Sequence, residues 1–191
     1  FLHGLGTNNL FLGKQSGTLT VSGSDNTGLG SRALASLTSG SYNTGIGYDA
    51  LYNNTTGNHN TGIGYDALYN NTTGSYNTGV GLTSLYNNRT VSNDPGEYNT
   101  ALGYKALYNN TTGDYNTALG SNALINNTTG SNNTAIGYNA GPSTGALTNT
   151  VAIGNGASVT ASNTMVLGNS SIVGTGIGVQ PGSTALKIGT S

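Results

Sequence analysis

The sequence predicts an all-β protein, a repeat β-solenoid of the parallel β-roll type with about ten coils of 17 and then 14 residues. Three observations predict this fold class. An aliphatic residue followed by glycine recurs along most of the 191-residue chain. The repeated unit is too short for a βαβ unit or a pair of helices, but it suits one coil of a solenoid. Each unit also ends in an asparagine- and glycine-rich turn signal.

The spacing of the aliphatic-glycine dipeptide sets the period. From Gly13 to Gly168 the intervals between successive glycines are 17, 17, 17, 17, 22, 17, 17, 17 and 14 residues. Equivalent residues of stacked coils lie about 4.8 Å apart, so the copies predict a rod of roughly 45–50 Å. The chain then divides into residues 1–148, a β-roll of seventeen-residue repeats with an insertion at 89–97; residues 149–170, the fourteen-residue coils; and residues 171–191, a connector or cap.

The strand of each copy is the segment Asn-Thr-(Gly/Ala)-aliphatic-Gly. Alternation along a strand places Thr44 and Ile46 on one face, with Asn43 and Gly45 on the other. The residue before the aliphatic one is Gly or Ala from the second copy to the ninth. Small residues in register predict that another backbone or sheet packs against their face, and we expect this to be the face of a neighbouring chain.

A second apolar position lies four residues after each aligned glycine. It holds leucine in six successive copies, and in the copy after them it becomes Gly141 followed by Pro142. The stretch around the leucine predicts a short strand or one helical turn, and the following Asn-Asn-Thr-Thr-Gly predicts a turn. Two buried aliphatic residues per coil make a thin core, so we expect partner chains to cover the rest in a homotrimer. The six leucines are Leu34, Leu51, Leu68, Leu85, Leu107 and Leu124.

Composition excludes several functional classes. Charged residues make up 6% of the chain, and five basic and six acidic side chains give a formal net charge of −1. The basic footprint of a nucleic-acid-binding protein is therefore missing. No apolar run approaches the roughly 20 residues of a membrane-spanning helix, so we expect no membrane insertion in this segment. Cysteine is absent, which removes disulfide and thiolate chemistry.

The charged residues and histidines offer little for catalysis or metal binding. Asp49 and Asp66 occupy the same place in adjacent copies, so their carboxyl groups are expected near 5 Å apart, as in a retaining glycosidase. Their column continues through Arg32 and Lys105, which favours a solvated polar column. The Asp residues do not recur in every coil, as calcium-binding rolls require, and His59 replaces a tyrosine. We predict no catalytic residue, no metal and no cofactor.

Tyrosines form three columns, which favour packing at a subunit seam with the hydroxyls reaching water, or alternatively stacking on sugar rings. The insertion projects from a rigid rod, where loops often carry recognition. As candidate binding residues we name Arg89, Asp94 and Glu97 in the insertion, with Tyr52, Tyr69 and Tyr108 in one tyrosine column. The possible glycosylation sites are the sequon residues Asn54, Asn71, Asn88, Asn110 and Asn127.

Residues 149–170 carry the motif Asn-x-x-Ala-Ile-Gly-x-Gly-Ala together with the fourteen-residue spacing. This segment resembles the head repeats of YadA-type trimeric autotransporter adhesins. The seventeen-residue copies resemble a longer relative of that repeat in phage tail-fibre-like and other surface-fibre proteins. The resemblance implies a parallel β-roll with three chains to a head, located on a cell surface or virion.

We therefore expect a structural rod, the shaft or head of a trimeric extracellular fibre, without catalytic activity. It would present adhesive surfaces to host glycans or proteins. One alternative is a phage fibre that binds or degrades glycans. Another is an ice-binding solenoid, because the threonine column that contains Thr44 is similar to the flat threonine arrays of such proteins.

Overall fold

The computed structural model describes residues 6–89 and 96–171. Over these two ranges the chain is an all-β solenoid of parallel strands with about nine turns, and it contains no helix. The predicted fold class is confirmed, with one turn fewer than the sequence suggested. Across the same residues there is accordingly no helix long and apolar enough to cross a membrane.

Ten of the twelve short strands form one parallel sheet, in the order β1-β2-β3-β4-β5-β6-β7-β8-β10-β12, and β11 pairs with β9 in a second sheet. Each long-sheet strand contributes one rung of the solenoid. The strands are β1 (Leu10–Leu12), β2 (Thr27–Leu29), β3 (Thr44–Ile46), β4 (Thr61–Ile63), β5 (Thr78–Val80), β6 (Thr100–Leu102), β7 (Thr117–Leu119), β8 (Thr134–Ile136), β9 (Gly141–Pro142), β10 (Val151–Ile153), β11 (Ser158–Val159) and β12 (Met165–Leu167).

The register places identical positions of successive repeats opposite each other. Thr44 pairs with Thr61, and Ile46 pairs with Ile63. Across the longer interval Thr78 still pairs with Thr100. The extra residues of the insertion therefore leave the ladder of strands intact.

The small residues of the strands face the interior of their own chain. Gly45 is buried, whereas Thr44 and Ile46 on either side are partly exposed. A Cβ atom built on Gly45 would lie 3.2 Å from Cγ of Leu34 in the preceding coil. The prediction that small residues face a partner chain is wrong, because the narrow interior needs their short side chains to make room for leucine.

Leucine alone fills the core at the second apolar position. All six leucines are at most 1% exposed, while the aliphatic residue of the strand lies on the outside. The expectation of two buried aliphatic residues per coil is therefore wrong. Leu51 has a φ of 54°, and its N–H donates to the carbonyl of Ala67 in the next coil at 2.9 Å. This left-handed turn replaces the expected strand or helical turn and directs the side chain inward.

Two ladders of buried asparagines run parallel to the leucine column. In the first, the backbone N–H of Asn43 donates to Oδ1 of Asn26, and Nδ2 of Asn43 donates to the carbonyl of Gly57. In the second, Nδ2 of Asn71 donates to Oδ1 of Asn54 and to the carbonyl of Gly74. Both ladders link each coil to its neighbours and satisfy turn carbonyls that would otherwise be buried without a partner.

Candidate interaction surfaces

The first and third residues of the long-sheet strands form a continuous exposed surface, which we call the outward sheet face. It presents a column of threonines beside a column of aliphatic residues, at the strand spacing of about 4.8 Å. None of the strands contributes a charged residue. In the aliphatic column, formed by the third residues of the strands, six members expose 36–67% of their surface, namely Leu12, Ile63, Leu102, Leu119, Ile136 and Leu167.

An aromatic ladder borders the threonine side of this face. Its rings lie nearly parallel, with centroids 4.8–4.9 Å apart and interplanar angles of 3–7°. Each member lies two residues before a strand threonine, and the tyrosines are 43–59% exposed. On the aliphatic side, Tyr48 and Tyr65 stack at 5.1 Å. The members of the bordering ladder are Tyr42, His59, Tyr76, Tyr98 and Tyr115.

Tyr52, Tyr69, Tyr86 and Tyr108 form a second, half-buried ladder with centroids 5.2 Å apart. Arg32 lies beside its first ring, and Lys105 lies beside its last ring. The predicted binding tyrosines therefore have their ring faces against other rings or cations. A sugar that stacks on an aromatic ring needs a free ring face, so this geometry favours packing along the rod, and sugar binding by these tyrosines stays a prediction.

The polar column beside this ladder holds a charged cluster in its first coils. A guanidinium nitrogen of Arg32 donates to Oδ2 of Asp49 and to the hydroxyl of Tyr48. Asp66 follows Asp49 in the next coil and has no such cation. The pKa of Asp66 is raised above its ordinary value, because burial and the neighbouring charge of Asp49 disfavour ionisation and Arg32 offsets only part of this.

The same arrangement bears on the glycosidase hypothesis for Asp49 and Asp66. Asp49 is only 3% exposed, and its Oδ2 is bound to Arg32. A nucleophilic carboxylate must reach a sugar carbon, which a buried and paired group does not. Among residues 6–89 and 96–171, no three His, Cys, Asp or Glu side chains are grouped to hold a metal ion.

The five sequon asparagines belong to the second buried ladder. Asn54, Asn71, Asn88, Asn110 and Asn127 are all 0% exposed. Each donates through Nδ2, the atom that would carry a glycan, to a carbonyl three or eight residues ahead. A glycan on these nitrogens would break these hydrogen bonds, which favours an unmodified turn, and the possible glycosylation at these five positions stays a prediction.

Two of the three insertion residues, Arg89 and Glu97, belong to the described part of the chain. Arg89 is exposed, and its backbone N–H donates to the carbonyl of Thr111 at 3.2 Å. The backbone N–H of Glu97 donates to Oδ1 of Asp114 at 2.6 Å. Asp94 lies outside the described residues. The insertion as a recognition loop stays a prediction.

A cleft of about 270 Å³ opens where Gly141 and Pro142 replace the leucine and the residue after it in the regular coils. We call it the junction cleft. Its polar wall is formed by Asn122, Asn126, Asn139 and Ser158, and its apolar wall includes Ile125 and Pro142. The change to Gly141-Pro142 is visible in the sequence, but the repeat pattern predicted no cavity at this copy.

Comparison with protein families, with curated proteins and with solved structures finds no match to this chain. Its function is therefore inferred from the properties of its own residues.

Proposed function

We propose that the protein is a structural rod in the shaft or head of a homotrimeric extracellular fibre, and that the outward sheet face is the seam between its chains. The observation that carries this proposal is that ten strands present an uncharged threonine and aliphatic surface to the outside. A contiguous apolar surface of this length is unusual on a monomer. It favours a second copy of the chain as its cover.

The size of the face supports a stable interface. Ten strands at about 4.8 Å, and the width between the two bordering tyrosine columns, give roughly 45 Å by 20 Å, or about 900 Å². A standard interface buries about 800 Å² on each partner. The face therefore offers sufficient area for lasting association.

A three-fold axis parallel to the rod fits this surface well. Such an axis sets equal coils at equal height, so the aliphatic columns of three chains meet along their full length. Because the columns carry no charge, equal residues approach one another without repulsion. Catalysis is not part of the proposal, and adhesion would reside on surfaces away from the seam.

The test is the mass of the particle in solution, measured by light scattering after size-exclusion chromatography. The unsubstituted chain is expected at three times its monomer mass, and Ile63→Lys with Leu119→Lys is expected to yield monomers. Thr56→Lys with Thr129→Lys adds the same charges at exposed turn positions and should remain trimeric. A monomeric unsubstituted chain, or a trimer unaffected by the seam variant, would overturn the proposal.

An ice-binding solenoid is the second candidate, favoured by one specific observation. The threonine and aliphatic columns share the outward sheet face in strict register. If this face binds ice, the unsubstituted chain is monomeric and shows thermal hysteresis, which Thr61→Lys with Thr117→Lys abolishes. Absence of hysteresis in a trimeric protein removes this candidate.

A further inference from the structure

The junction cleft arises from a change in the path of the chain. In the regular coils the arm after each leucine is covered by the same arm of the next coil. Above Leu124 the chain instead runs straight through β9, and the N–H of Gly141 donates to the carbonyl of Ala157 at 2.9 Å. Gly145 still lies over the following turn, since its carbonyl accepts from the N–H of Thr128 at 2.9 Å, and the cleft opens beside β9, next to Ile125 and Asn126.

The amide side chains of the cleft have no hydrogen-bond partner among residues 6–89 and 96–171. Asn122, Asn126 and Asn139 make no side-chain hydrogen bond to any described residue, and Oδ1 of Asn122 is a buried acceptor without a donor. In the regular coils the residue equivalent to Asn126 is engaged, since Nδ2 of Asn53 donates to Oδ1 of Asn70. Three unengaged amides around one cleft are available to a ligand.

The chemistry of the lining points to a neutral ligand rich in hydroxyl groups. No charged side chain lines the cleft, so an ionic ligand would lose water without gaining a counter-charge. Amides both donate and accept hydrogen bonds, as sugar hydroxyls do. Ile125 and Pro142 supply an apolar surface for the C–H face of a sugar ring.

The tyrosine next to the cleft in the sequence differs from the tyrosines of the two stacked ladders. Tyr138 directly precedes Asn139 and is 56% exposed. Within the described residues no aromatic ring stacks on it, whereas the ladder tyrosines have their ring faces covered. Tyr138 is thus able to contact a glycan that extends from the cleft.

We propose that the junction cleft binds one neutral sugar residue of a glycan chain. The inference goes beyond the rod proposed above, because a single chain supplies every lining residue of the cleft. It also places glycan recognition at the end of the seventeen-residue coils, away from the predicted tyrosines Tyr52, Tyr69 and Tyr108.

Saturation-transfer NMR with the methyl glycosides of glucose, galactose, mannose and N-acetylglucosamine tests the proposal. At least one glycoside is expected to receive saturation from the protein, and glucuronic acid is expected to receive none. Asn126→Ala with Asn139→Ala should weaken binding at least tenfold. Ser158→Phe, which leaves the amides in place and fills the cleft, should abolish it.

The matched control is Asn53→Ala with Asn70→Ala, which removes the same residue type from the regular coils and should leave sugar binding unchanged. Circular dichroism verifies that each variant is folded. Absence of transfer to all four glycosides overturns the proposal, as does binding that persists in both cleft variants. Particle mass is recorded for each variant, so loss of the trimer is distinguished from loss of sugar binding.

Discussion

The seventeen-residue coils and the fourteen-residue coils share one sheet but have different interiors. The longer coils contain a leucine column, two asparagine ladders and stacked tyrosines. In the shorter coils Val159 takes the core position, and Thr150 ends the first asparagine ladder by donating through its hydroxyl to Oδ1 of Asn133 at 2.7 Å. The second ladder ends at Asn127.

This difference shows what the Leu-Tyr-Asn-Asn-Thr-Thr-Gly arm of the regular long coils provides. The arm carries the second asparagine ladder and the aromatic ladder of Tyr52. Both ladders connect successive coils along the rod axis. The sheet keeps its register without them, since Val151 pairs with Met165 in the short coils as regularly as Thr44 pairs with Thr61. The arm adds cohesion between coils, and the junction cleft lies where Gly141 and Pro142 replace the leucine that precedes it.

The glycine that ends each strand gives the largest expected effect. Gly64 has a φ of 136°, and a Cβ there would lie 2.5 Å from the carbonyl oxygen of Gly81. Gly64→Ala combines an unfavourable φ with a clash against backbone and should lower the free energy of unfolding by about 3–5 kcal/mol. In the short coils the nearest atom to a Cβ on Gly154 lies 3.1 Å away. Gly154→Ala should therefore cost less in urea denaturation, and equal losses would contradict this explanation.

The leucine column gives the next effect. Leu68 is fully buried, and Leu68→Ala should lower the free energy of unfolding by about 3 kcal/mol through lost burial and a cavity. Val159→Ala removes fewer atoms from the core of the short coils and should lower it by about 2 kcal/mol. Chemical denaturation measures both. If Val159→Ala lowered the free energy of unfolding more than Leu68→Ala, the short coils would depend on their core more than the long coils do, which would contradict this prediction.

The first asparagine ladder gives a comparable but smaller effect. Asn116→Leu leaves the carbonyl of Gly130 and the N–H of Asn133 without their partners and should cost about 2–3 kcal/mol. Thr150→Val, at the end of the same ladder, loses one hydrogen bond and should cost about 1 kcal/mol. Hydrogen exchange of the Asn133 amide reports the lost hydrogen bond to Asn116 directly. Unchanged protection of this amide in Asn116→Leu would contradict the prediction.

The smallest effect is electrostatic and belongs to the long coils alone, because residues 149–170 contain no charged side chain. The raised pKa of Asp66 means that folding favours its protonated form. Stability should therefore fall as the pH rises from the unfolded value near 4 through the raised folded pKa. Asp66→Asn should raise the melting temperature at pH 7 and leave it unchanged at pH 3.

The matched control for this prediction is Asp25→Asn. Its carboxylate accepts a hydrogen bond from Nδ2 of Asn8, so its removal should not stabilise the protein. Equal stabilisation by both substitutions would show that general charge reduction, and not the environment of Asp66, is responsible.

The sequence alone determined the solenoid and its register. A period of seventeen residues with aliphatic-glycine and turn signals predicts one arrangement of the chain, in which identical positions of successive coils stack at the strand spacing. Stacking of the tyrosines in columns followed for the same reason, because side chains one period apart must become neighbours.

Tertiary structure decided which side of the strand faces inward. Alternation separates Thr44 and Ile46 from Gly45, but it does not say which set is buried, since aliphatic residues are usually the interior ones. Here the leucines of neighbouring coils occupy the interior, and only glycine or alanine fits against them. The same space-filling requirement buries the sequon asparagines. Their burial and the junction cleft both depend on how one coil packs on the next. The residues of a single repeat do not specify this packing.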